Sequence, residues 1–125
     1  MPATTSRTPL CETSKVMPRA ARPSASSPID LVHLATQTCG DRDLERSILA
    51  MLARQIGTAE ERLRVLSLTD RVHLAHALKG TARNVGAFAL ADAAAELETG
   101  PSSEAALSRL IDHMNATRRF AAELA

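Results

Sequence analysis

The run from Asp70 to Ala87, DRVHLAHALKGTARNVGA, holds the residues best suited to chemistry. Placed on a helical wheel at roughly 100° per residue with His76 as origin, Leu74, Leu78, Thr81 and Val85 fall within about 40° of the opposite pole and form a core stripe. His76 then points away from the packed side, and Val72, His73, Lys79, Gly80 and Arg83 share its outer face. Lys79 follows one turn later, close enough for its ammonium to reach an anion bound at the imidazole. Gly80 costs about 1 kcal/mol of helix stability relative to Ala, and mid-helix it meets no turn or cap requirement. Its use is the absence of a side chain, a bald patch that lets another protein's surface come close to the ring. A neutral imidazole has an in-plane lone pair and an ordinary pKa of about 6.5. An exposed imidazole, a nearby cation and a cleared approach suit a nucleophile that accepts a phosphoryl group. Such a transfer needs chiefly positioning and charge stabilisation. Gly57, Gly80 and Gly86 are isolated within helical patterns and build no nucleotide-cradling loop, so the phosphoryl donor must come from elsewhere.

The elements that position this segment are helical. Ser27 followed by Pro28 reads as an N-cap with Pro at the first helical position, opening a short helix with Ile29 and Val32 that ends near Gly40. A second helix opens at about Asp41, with Leu44, Ile48, Met51, Leu52, Ile56, Ala59, Leu63 and Leu66 at spacings of three and four. Thr69 or Asp70 caps a third helix that runs to about Val85, and Gly86 is its stop. A fourth segment starts at about Ala87, carries Phe88, Ala91 and Leu97, and ends at the Gly100-Pro101 turn. Ser102 or Ser103 begins a last helix with Leu107, Leu110, Ile111, Met114, Ala121 and Leu124 on one side. Short connections favour antiparallel neighbours. The expected fold is all-α, an up-down antiparallel four-helix bundle over residues 28–125 with a short leading helix and a disordered N-terminal tail over residues 1–27.

Composition narrows the function classes. The 125 residues are rich in Ala and Leu and only 2% aromatic, with no Trp or Tyr, which excludes a β-sandwich or barrel. The tail carries Arg7, Lys15, Arg19 and Arg22 against Glu12 alone, while the whole chain is nearly neutral at +1. Neutrality argues against a nucleic-acid partner held through phosphates. No apolar run approaches the roughly 18 residues of a membrane span. Cys11 and Cys39, without a secretory segment, read as free thiols in a reducing compartment, and the expected location is cytoplasmic. No spare hydrophobic face is evident, so a monomer is expected.

His76-Ala77-Leu78-Lys79-Gly80, followed by Thr81 to Ala87, resembles the H-x-L-K-G-x-x-x-x-x-G-A signature of the histidine-containing phosphotransfer (HPt) domains of bacterial multistep phosphorelays. The order of helices from about Pro28 onward is similar to that family's bundle as well. The resemblance implies that His76 is the phospho-acceptor, Lys79 the charge stabiliser and Gly80 the clearance residue. It also implies response-regulator receiver domains as partners, with a hybrid histidine kinase as a second one. The receiver would supply a phospho-aspartate and its own Mg²⁺, and this chain would need no cofactor. The chain would be a stoichiometric carrier and not an enzyme with ATP chemistry of its own. One departure is Arg83, where family members commonly have a small residue. Lying about 20° from His76 on the wheel, Arg83 is expected to pair with an acidic rim of the receiver. Val72, His73 and Ala87 are expected to add contacts to the same partner, whereas Leu44 and Ile48 read as core.

Other chemistries fit less well. His73 and His76 could share a metal ion, but a zinc site needs three or four protein ligands and only Asp70 lies near. His33 and His113 are isolated and read as ordinary surface or boundary residues. A Ser/His/Asp hydrolase lacks a nucleophile elbow and any strand to build one on. The surviving alternative is a helical adaptor that binds and regulates a signalling partner without accepting phosphate.

Overall fold

The computed structural model describes residues 27–125, and the tail expected over residues 1–27 lies outside them except for Ser27. Among the described residues there are five helices and no strand: α1 Leu31–Gln37, α2 Arg42–Leu63, α3 Leu68–Val85, α4 Phe88–Thr99 and α5 Glu104–Leu124. Four of them begin where a short polar side chain accepts from orphan backbone amides. Asp30 accepts from Val32 and His33, Asp41 from Leu44, Ser67 from Asp70 and Ser103 from Ala106. Two starts differ from the sequence expectation. The first helix is capped by Asp30 and not Ser27, because the Asp30 carboxylate satisfies two amides at once, 3.0 and 3.2 Å away. The third is capped by Ser67, one turn upstream of Asp70.

Gly86 stops α3 in the left-handed conformation, with φ of +91°. Ala87 N–H donates to Ala82 O at 2.8 Å and Gly86 N–H to Arg83 O at 3.3 Å, which is the Schellman arrangement. The same glycine seats α1. Asp30 N–H donates to Gly86 O at 2.9 Å, and a Cβ on Gly86 would stand 2.9 Å from Asp30 O. His33, half-buried, bonds through Nε2 to Asn84 O at 3.2 Å and meets the Phe88 ring edge-on at 5.1 Å. It is therefore a boundary residue that fastens α1 to the α3–α4 turn.

In the bundle α3 packs most closely with α4, and α2 with α5. The core is aliphatic: Leu49, Leu52, Ile56 and Leu63 from α2, Leu78 from α3, Leu90 and Leu97 from α4, and Leu110 and Met114 from α5 are all buried. Arg71 is buried too. Its guanidinium donates to Leu63 O at the end of α2 and to Pro101 O in the α4–α5 turn, tying that end of the bundle together. At the other end Leu44 is exposed, which corrects its expected core role, and Met51 is exposed too, whereas Ile48 is half-buried and packs against the core as expected. The reason is that α2 turns its Leu49, Leu52 and Ile56 face inward, and leaves the adjacent stripe along an open groove beside α3. Cys39 is disulfide-bonded and not the expected free thiol; the chain's other cysteine, Cys11, lies outside the described residues. No helix among the described residues is long and apolar enough to cross a membrane.

Candidate functional site

The inner face of α3 consists of Arg71, Ala75, Leu78, Ala82 and Val85, with Leu74 and Thr81 only half-buried. Relative to the expected stripe this face is turned by about 50° on the wheel. The turn is toward α4, because small residues on both helices, Ala75 and Ala82 on α3 and Ala91 and Ala94 on α4, permit close approach. His76 remains on the outside: its side chain is 67% exposed.

The ring nevertheless has a partner. His76 Nδ1 lies 2.7 Å from Glu98 Oε2, and Lys79 Nζ lies 2.8 Å from Glu98 Oε1. Glu98, on the last turn of α4, thus joins the two α3 side chains through its two oxygens. The hydrogen bond from Lys79, and after it the one from His76, holds the Glu98 carboxyl below its ordinary value, so it is ionised near neutral pH. An ionised carboxylate can only accept. The proton between ring and carboxylate therefore sits on His76 Nδ1, and in the neutral ring the lone pair stands on Nε2, facing solvent.

Glu98 was not among the residues singled out from the sequence. A signal existed: α3 and α4 form a hairpin about Gly86, and residues about equally far from such a turn come opposite each other. His76 precedes Gly86 by ten positions and Glu98 follows it by twelve. Only the hairpin's register, which the helical period does not supply, distinguishes Glu98 from Glu96. Glu96 turns to α5 instead and takes a two-pronged bond from Arg109 at 2.8 and 2.9 Å.

The other expected site residues divide. Gly80 is exposed, and a Cβ built on it would meet nothing within 4 Å, so the patch beside the ring is open. His73 and Arg83 are exposed, and Val72 is half-buried. Ala87 is fully buried, which corrects its expected place on the partner-facing surface. The wheel of α3 does not extend past the left-handed Gly86, and Ala87 becomes the N-cap of α4, turned into the core. Beyond Gly80 a groove of about 430 Å³ opens between α2 and α3, lined by Ile48, Met51, Gln55, Thr81, Asn84 and Val85 among others. Among the described residues no group of three or more His, Cys, Asp or Glu side chains is arranged to hold a metal ion.

No curated protein matches the chain, and no solved structure does. The Hpt domain family model matches residues 44–120, from the first turn of α2 to the last turns of α5, with the whole His76, Lys79 and Glu98 cluster inside. Covering well over half of the sequence, that match joins an all-helical bundle and an exposed histidine, and the chain belongs to the Hpt domain family, the phosphocarrier modules that serve receiver domains in phosphorelays.

Proposed function

We propose that His76 accepts a phosphoryl group from the phospho-aspartate of a receiver domain and passes it to the same or another receiver in two-component or phosphorelay signalling. What carries this is Glu98, bonded to His76 Nδ1 at 2.7 Å and to Lys79 Nζ at 2.8 Å beneath a ring that is mostly exposed. With the proton held at Nδ1, the Nε2 lone pair is free to attack phosphorus in line. The Nε2–P bond forms as the acyl-phosphate P–O bond breaks, and the receiver's aspartate leaves as carboxylate. The ring keeps its Nδ1 proton and so becomes cationic, a charge that the adjacent Glu98 carboxylate offsets. The return step is the reverse. Lys79 has three N–H donors. One is engaged by Glu98, and the others are available to phosphoryl oxygens, where an ammonium forms strong charge-assisted bonds.

The receiver would dock on the exposed face of α3 and the neighbouring stripe of α2, covering His73, Gly80 and Arg83 and reaching Ile48 and Met51 in the groove. That apolar centre is modest, in keeping with a transient signalling contact. Mg²⁺ belongs to the receiver, and the chain itself acts as a stoichiometric carrier.

The test is to mix the full chain with a panel of receiver domains phosphorylated on aspartate and follow the label, with His76→Gln as control. Transfer to the wild type should yield an acid-labile, alkali-stable phosphoramidate, absent from the variant. A label that survives acid, or that appears equally in His76→Gln, would overturn the assignment. Signalling preserved in His76→Gln would point to the adaptor function instead.

A further inference from the structure

Helix α3 carries three cations with three different surroundings. Arg71 is buried against the carbonyl oxygens of Leu63 and Pro101. Lys79 is held by Glu98. Arg83 is exposed and has no acidic partner among the described residues. The acidic residues of the neighbouring α4 are turned elsewhere: Asp92 and Glu96 line the α4–α5 groove with Arg109 and His113, and Glu98 is taken by His76 and Lys79.

The position of Arg83 is as informative as its freedom. Seven residues after His76, it stands about 10 Å further along the axis and 20° short of two full turns, so both side chains rise from one face. Between them lies Gly80, with nothing within 4 Å of where its Cβ would be. On the other side Arg83 adjoins Thr81 and Asn84, which line the apolar α2–α3 groove. Any macromolecule that reaches His76 across the bald patch and also covers the groove must pass beside this guanidinium. A guanidinium is a fixed fork of donors matched to a carboxylate.

We propose that Arg83 determines which receivers are served: it selects those with an Asp or Glu about 10 Å from their phospho-aspartate on the docking face, and disfavours those with Lys or Arg there. This rests on the phosphotransfer function of His76 and adds a partner specificity to it. An exposed charge of this kind acts mainly on encounter rate and on its sensitivity to salt. An exposed ion pair contributes up to roughly fivefold in affinity or rate, and juxtaposed like charges cost more than that.

The experiment compares paired forms of one phosphorylated receiver domain, identical except for Glu or Lys at the rim position, as donors to the full chain with Arg83 and with Arg83→Glu. Labelling of His76 by the small donor phosphoramidate shows that each variant presents its imidazole. The wild type should take label several-fold faster from the Glu-rim receiver, with the preference fading at high salt, and Arg83→Glu should invert the ranking. Label on His76 with the same ranking in both chains overturns this inference and leaves phosphotransfer standing. No label on His76 from any donor overturns both.

Discussion

Replacing Gly80 should move stability and function in opposite directions. The residue lies inside α3, away from either end, and a Cβ there meets nothing within 4 Å. Gly80→Ala therefore introduces no clash and removes the entropic cost of glycine in a helix, a gain of about 0.8–1.0 kcal/mol. For a domain of this size that raises Tm by roughly 4–8 °C. Transfer from a receiver should fall, because the partner's surface must approach over this patch to bring phosphorus within about 3–3.5 Å of Nε2, and a misplacement of about 1 Å can cost on the order of 10²-fold. Gly80→Leu, which retains good helix propensity, should show that larger loss in full. Gly57→Ala is the control. Its Cβ would make an ordinary 3.8 Å contact with Arg118, so it should stabilise in the same way and leave transfer unchanged. The assays are thermal unfolding and the initial rate of label transfer from a phosphorylated receiver. A lower Tm for Gly80→Ala, or a wild-type transfer rate for Gly80→Leu, would refute the clearance role.

Two further outcomes are expected from the hairpin that carries the site. Gly86→Ala combines left-handed strain of about 1–2 kcal/mol with loss of a hydrogen bond worth about 1 kcal/mol, since a Cβ would stand 2.9 Å from Asp30 O and push α1 off its seat. A destabilisation of roughly 2–3 kcal/mol in denaturant unfolding is expected, and a neutral result would mean that α1 is not anchored there. Glu98→Gln removes a carboxyl whose value in the fold lies below its ordinary 4.5, owing to Lys79 first and His76 second. A lowered value means that the stabilisation is fully present above about pH 4.5 and is lost as pH falls through the lower folded value. Wild type and Glu98→Gln should accordingly differ in Tm at neutral pH and converge in acid. The variant should also transfer more slowly, because an amide can donate to Nδ1 and leave the proton on Nε2.

Much of the fold was legible because helix ends are local events. Asp41, Gly86, the Gly100-Pro101 turn and Ser103 each mark a boundary through side chains or φ angles that neighbours a few residues away complete. Ser27-Pro28 misled because two adequate caps stood within one turn, and the one that met two amides prevailed. Burial on α2 was less legible. The spacing of Leu44, Ile48 and Met51 is as regular as that of Leu52, Ile56 and Leu63, and only the choice of α5 as close neighbour decides which stripe is covered. The site divides on the same line. His76, Lys79 and Gly80 share one helix, so the 3.6-residue period places them. Glu98 comes from another helix, and Ala87 lies across a chain reversal, where that period has no authority.

The unequal sides of α3 explain how one helix can serve both precision and access. Toward α4 its residues are Ala75 and Ala82, fully buried against a helix that offers Ala91 and Ala94. Only such short side chains bring two backbones close enough for a single carboxylate on α4 to reach an imidazole and an ammonium one turn apart on α3. Toward α2 the same helix presents Thr81, Asn84 and Val85 to an open groove. Close packing there would bury the strip that a receiver must cover. The face between these two sides holds His76, Gly80 and Arg83, so the nucleophile is oriented from one side and approached from the other. A bundle with both seams equally tight would orient the ring but narrow the docking face, and one with both seams open would expose the ring without fixing its proton.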